Sequence, residues 1–178
     1  MSRKIKYIIL ITGAILIFIL FFGQALINPE AIGDKVAIIE IHGVINDSEE
    51  IIKHIHLHRN NTSVKAIVLR IDSPGGGVAP VQEIYSELKK LKSKPIFASM
   101  GSTAASGGYY IACAAQEIFA NPGTLTGSIG AVMQFIKMKT LYDKIGIEYQ
   151  TIKSGEYKDI GASQRNMTPA EKSLIQKK

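Results

Sequence analysis

Tryptophan is absent from the 178 residues, cysteine occurs once, proline six times, and aromatic residues make up only 7%. With a single Cys113 no internal disulfide can form, so the fold must rest on packing. Cys113 lies in Ile111-Ala112-Cys113-Ala114-Ala115, which reads as a small buried position. Nothing nearby in sequence would lower its pKa, which argues against a catalytic thiol. No basic run with interleaved aromatics occurs, so nucleic acid is not an expected partner. The formal charge of +6 is less than it looks. Arg3, Lys4 and Lys6 precede an apolar stretch, and the remainder carries 18 basic and 15 acidic groups, a net of +3. Lys89, Lys90, Lys92 and Lys94 fit the solvated end of a helix. His54, His56 and His58 lack an acid or cysteine at metal-site spacing. On a helix only His54 and His58 share a face, so the three read as a solvated helix surface. No metal, nucleotide or other cofactor is called for, and no repeat or low-complexity tract is present.

What the chain does have in quantity is uncharged apolar sequence from Tyr7 to Ile27. About 20 such residues cross a bilayer. A cleaved signal peptide would have a shorter apolar region and a small-x-small site, which Gly23-Gln24-Ala25 meets poorly. Arg3, Lys4 and Lys6 on one side, with Glu30 and Asp34 on the other, place the N-terminus in the cytoplasm and the rest outside it. The expected organisation is a cytoplasmic stub and transmembrane anchor (1–27), a linker (28–34) and a catalytic domain (35–178). The expected location is the cell membrane, as a single-pass protein held in lipid through residues 7–27.

Within the domain, strand and helix patterns alternate. Strands are expected over 35–41, 64–71, 96–100, 117–120 and 147–152, with an extended stretch over 128–135. Ser48 is a candidate cap for a helix over 48–59. Pro80 suits a first helical turn, followed by Val81, Ile84, Tyr85, Leu88 and Leu91 on one face. A helix of small residues should run to Ala115, and another around 138–145 should close at Gly146. Thr168-Pro169-Ala170-Glu171 combines a capping box with a first-turn proline. The class is therefore α/β with a largely parallel sheet and flanking helices.

Two glycine-rich segments carry the chemistry: Ile71-Asp72-Ser73-Pro74-Gly75-Gly76-Gly77 and Gly101-Ser102-Thr103-Ala104-Ala105-Ser106-Gly107-Gly108. Each follows an apolar strand pattern and leads into a helix. Ser106, among small residues at a helix start, has an uncrowded hydroxyl and unpaired N–H groups beside it. That suits acyl transfer, with Ser106 as nucleophile. Ser73, Ser99 and Ser102 read as turn or strand hydroxyls, and Asp72 as a turn-former. His42 reads as a hydrogen-bonded strand-end histidine, for no carboxylate is placed to orient it as a base. A lysine could serve if its pKa fell by roughly three from ~10.4. Lys158, between glycines in Ser154–Gly161, is one candidate and Lys153 another.

These two segments, with Thr126-Gly127-Ser128-Ile129-Gly130 and Ser154-Gly155-Glu156-Tyr157-Lys158-Asp159, together resemble the short, membrane-anchored signal peptide peptidases of the SppA type, from about Val36 to the end. The resemblance implies a fold similar to the Clp peptidase and the crotonases. It also implies a Ser106–Lys158 dyad supported by the Ser128 hydroxyl, and an oxyanion hole from the N–H of Gly75 or Gly76 with that of Gly107. The implied substrates are peptides, in particular signal peptides left in the membrane after export. The implied assembly is a homo-oligomer whose dyad is shared between protomers. Members of that family run on past this length, so a C-terminal part is expected beyond residue 178. The alternatives are an inactive or shortened membrane-bound scaffold of the same fold, and a crotonase-like acyl-CoA enzyme, which would need a carboxylate base and a cytosolic CoA pool.

Overall fold

The computed structural model describes residues 3–27 and 33–177. In chain order the elements are α1 (Arg3–Ile27), β1 (Lys35–Ile45), α2 (Glu49–Asn60), β2 (Val64–Gly76), α3 (Val78–Lys90) and β3 (Ile96–Ala105). They are followed by α4 (Gly107–Ala112), β4 (Glu117–Phe119), β5 (Leu125–Gly127), α5 (Lys139–Ile145) and α6 (Pro169–Gln176). The chain forms two compact units, Met1–Gly130 and Ala131–Lys178.

Among the described residues no helix is long and apolar enough to cross a membrane. Most of the expected linker, residues 28–32, lies outside the described residues.

In the first unit every strand pairing is parallel, in the order β1-β2-β3-β4. The long β3 pairs with β4 through Phe97–Ser99 and with β5 through Thr103–Ala105. Alternation then sorts side chains by face. Ile39 and Ile41 of β1, Ile67, Leu69 and Ile71 of β2, and Ala98 and Met100 of β3 enter one core. Ile55 of α2, Val81, Ile84 and Leu88 of α3, and Ile111 of α4 close it. On the opposite face of β1, Val36, Ile38 and Val44 are about 60% exposed.

The α/β class and parallel sheet hold, with differences in detail. β1, β2 and β3 each run several residues past their expected ends, because the neighbouring strand keeps supplying backbone partners through the glycines. The small-residue helix stops at Ala112, so Cys113 is its C-cap and is exposed, not buried. Ser48 precedes α2 but its hydroxyl donates to Glu83 of α3 in place of capping. The histidines of α2 are not a plain solvated face. His56 Nε2 lies 3.1 Å from a Glu87 carboxylate oxygen on α3. His58 is half-buried, and burial, with His54 and Lys94 adding to it, pushes its pKa down.

In the second unit α5 closes at Gly146, which takes φ 75°, and α6 has the full Thr168/Glu171 capping box. Residues 147–152 alternate as expected but form no strand, and 128–138 has no regular structure. Alternation makes a strand only where a neighbour offers backbone partners, and the second unit holds no strand among the described residues.

Candidate functional site

β3 delivers Ser106 to the start of α4 through a sharp turn. Ser106 takes φ 51° and ψ −118°, a backbone region that L-residues other than glycine rarely adopt. Among the described residues only Ser128 (φ 52°) is another non-glycine with positive φ. The two strained serines are coupled. β5 pairs with β3 up to Ala105↔Gly127, and the Ser106 N–H donates to the Gly127 carbonyl at 2.7 Å. Thr126 Oγ1 ties the same segment to the Ala104 carbonyl at 2.8 Å. Holding a residue in such a conformation costs about 1–3 kcal/mol and needs surroundings that over-determine it. The β3–β5 ladder and the α4 bond from Tyr110 N–H to the Ser106 carbonyl (2.9 Å) supply that.

The glycines of the first segment close on the same point. Gly75 takes φ 100°, and a Cβ there would stand 2.7 Å from the Gly107 nitrogen and 2.9 Å from Ser106 Cβ. A Cβ on Gly107 would stand 2.5 Å from Val81 Cγ2 and 3.4 Å from the Gly76 nitrogen. On Gly76 it would be 2.1 Å from the Ile45 carbonyl oxygen. Backbone of β2 therefore lies directly against the Ser106 turn, which only glycine permits. The Gly75 N–H donates to Ser73 Oγ at 3.1 Å.

Ser73 is fully buried and its hydroxyl donates to the Gly43 carbonyl at 2.5 Å. It is more than a turn or strand hydroxyl, for it holds Gly75 to β1. Replacing it with alanine strands the Gly75 N–H and the Gly43 carbonyl. A Ser73→Ala protein should lose about 1–3 kcal/mol of stability, seen as a lower urea midpoint at unchanged slope. Asp72 is not a turn-former. It sits in β2 opposite His42, and its carboxylate accepts from the Thr103 N–H at 2.9 Å. His42 is exposed, with the Glu40 carboxylate 3.7 Å away on the same strand.

The structure thus brings Ser106, Gly75, Gly76 and Gly107 together and joins them to the segment that carries the exposed Ser128. Lys158 belongs to the second unit, where it is exposed in a turn whose Lys158 N–H donates to the Gly155 carbonyl at 3.2 Å. Lys153, its rival, is occupied. Its ammonium donates to Asp159 Oδ1 at 2.7 Å and to the Glu156 carbonyl at 2.8 Å. Arg165 donates to Asp159 at 2.7 and 2.8 Å and also pairs with Glu171. No single residue of this network marks it in the sequence. The recurring opposite charges at 153, 159, 165 and 171 were its only signal.

The fold is similar to that of the 1510-N membrane-bound stomatin-specific protease, with a TM-score of 0.53 over 60% of this chain and 53% of that one at 22% identity. In sequence the chain is 40% identical over 159 residues to the chloroplastic serine protease SPPA of Arabidopsis thaliana, covering 81% of this chain and 24% of that protein. It is 33% identical over 177 residues to an Enterococcus faecium protein named as signal peptide peptidase SppA, covering 88% and 52%. The chain therefore spans between a quarter and a half of these relatives' lengths. Residues 32–125 match the Clp protease family. Residues 88–178, which hold Ser106, Ser128 and Lys158, match Peptidase family S49, and the chain belongs to that family.

Proposed function

We propose that this chain is a membrane-anchored serine endopeptidase in which Ser106 is the nucleophile and Lys158 the general base. The observation that carries the reading is the strained turn at Ser106, with Gly75, Gly76 and Gly107 packed around it. A strand–turn–helix that exposes a serine beside free backbone donors is built for attack on a carbonyl.

In the proposed cycle the neutral Lys158 amine takes the proton from Ser106 as Oγ attacks the peptide carbonyl. The oxyanion accepts from two backbone N–H groups. With the Gly75 N–H turned to Ser73 Oγ, Gly76 and Gly107 are the better-suited pair. The lysine then gives its proton to the leaving amine, and an acyl-enzyme remains on Ser106. Water, deprotonated by the same lysine, releases the acid product. Ser128 Oγ hydrogen-bonds the Lys158 amine and orients it. The engagement of Lys153 by Asp159 favours Lys158 for the role. The dyad is completed between adjacent protomers of a homo-oligomer.

The anchor belongs to the same proposal. Tyr7 to Ile27 carries no charge, and an apolar stretch of about 20 residues is what a helix needs to cross the hydrocarbon core. Signal peptides remaining in the membrane are the proposed substrates, in keeping with the name of the Enterococcus relative.

The test uses a fluorophosphonate, which labels an activated serine, on the membrane-extracted protein beside a peptide hydrolysis assay. Lys158→Ala should lower kcat by about 10²–10⁴-fold, the usual worth of a general base, and slow labelling at Ser106 in parallel. Turnover at the original rate in Lys158→Ala would remove lysine from the mechanism.

A further inference from the structure

The second unit is held together in an unusual way. Among its described residues only Glu171 is buried, with a side chain 3% exposed, and it is charged. Apolar side chains do not fill that position. Val132 and Ile152 are at least 90% exposed. Order in the Lys158 loop must come from a few specific contacts beside those of Lys153 with Asp159 and the Glu156 carbonyl. The Met138 N–H donates to the Ser163 carbonyl at 2.8 Å. Gly161, at φ 83°, lies so close to Phe135 that a Cβ would meet its ring at 2.2 Å. Strongest is the charged clamp. Arg165 uses Nε and Nη2 to grip both oxygens of Asp159, and Nη1 and Nη2 to grip both oxygens of Glu171.

Glu171 is at the same time the third residue of α6 and bonds the Thr168 N–H at 2.7 Å. The clamp therefore runs from the first turn of α6, through one guanidinium, to the residue next to Lys158. A planar fork that donates along two edges is suited to this, and a lysine could not reproduce it.

We propose that Asp159 is the positioning residue for Lys158, fixing the backbone of the base by tying it through Arg165 to the capped start of α6. This rests on the Ser106–Lys158 reading above. Asp159 touches neither substrate nor reacting atoms in this scheme. It acts by denying Lys158 the freedom of an exposed loop, and a base misplaced by about 1 Å can cost 10²-fold in rate. Both carboxylates are held below the usual carboxylate range by Arg165, Glu171 down to about 2. The clamp therefore stays charged throughout the neutral range.

Asp159→Ala is the informative variant, because it releases the loop and leaves the Arg165–Glu171 pair and the capping box in place. Arg165→Gln would instead strand a buried carboxylate. The full chain is extracted from membranes, and kcat, KM, fluorophosphonate labelling and thermal melting are measured for the original protein, Asp159→Ala, Asp159→Asn and Lys158→Ala. Asp159→Ala should lower kcat about 30–100-fold with KM within threefold, slow labelling to match, and melt within a few degrees of the original. Asp159→Asn, which still accepts from Arg165, should fall between. Unchanged kcat in Asp159→Ala beside an inactive Lys158→Ala would overturn the positioning role alone. Full activity in Lys158→Ala would instead overturn the dyad on which it rests. Loss of the folded state in both Asp159 variants would assign the residue to stability and equally end the proposal.

Discussion

Ser106→Ala should reduce kcat for peptide hydrolysis by at least about 10⁴-fold, because the proposed chemistry passes through a covalent bond to this one oxygen. KM should change little, for the substrate backbone would still be met by the same glycines. Stability separates this reading from general damage. Alanine is as strained at φ 51° as serine, so the variant should melt close to the original protein. Ser106→Gly should be equally inactive yet more stable, by about 1 kcal/mol, since glycine tolerates that backbone region. Hydrolysis at more than a hundredth of the original rate in a pure Ser106→Ala preparation would show that Ser106 is not the nucleophile. A Ser106→Gly protein that melts lower would show that the turn is not strained.

Gly75→Ala should be nearly as damaging and by a different route. The added methyl has two costs. At φ 100° an L-residue is strained wherever it stands, and here the methyl would also meet the Gly107 nitrogen at 2.7 Å and Ser106 Cβ at 2.9 Å. Neither neighbour is the loose end of a flexible side chain. Relief must come from moving the β2 end away from the Ser106 turn, which opens the gap between the proposed oxyanion donors. Losing one such donor costs about 3–4 kcal/mol in the transition state. A kcat fall of 10²–10³-fold is expected, with destabilisation of about 1–3 kcal/mol. Gly123→Ala is the control. Nothing stands within 4 Å of its Cβ position, so activity and melting should be preserved. If Gly75→Ala were as active as Gly123→Ala, the close approach of the two glycine segments would have no part in catalysis.

The sequence showed most clearly those features that depend on neighbours along the chain. Ile84 and Leu88 announced the buried face of α3 through helical spacing, and Thr168 and Glu171 announced the start of α6 through a four-residue pattern. Ser106 could be found because small residues on both sides and a strand before it are local facts. Features that need a distant partner were hidden. Residues 147–152 alternate as a strand would, but nothing in a period of two says whether a neighbouring strand exists. Cys113 has an apolar context and still faces out, because α4 ends at Ala112, three residues earlier than its composition suggests. Asp72, in a motif that favours bends, is straightened by its bond to Thr103 on β3, more than thirty residues on. The Asp159–Arg165–Glu171 clamp is a three-body arrangement, and such arrangements leave no periodic trace.

Because all the sheet's ladders run parallel, Ile45, Gly76, Ala105 and Gly127 end their strands on one and the same rim, and every proposed reacting group of the first unit is within a residue or two of those ends. The opposite rim, where Lys35 meets Ser63 and Ile67 meets Pro95, carries only connections. Reactivity and architecture are thereby divided between two ends of the same strands. Apart from Ser73 and the close-packed glycines, side chains on the reactive rim can be changed with little effect on the interior. Reporter groups or affinity handles belong on the far one.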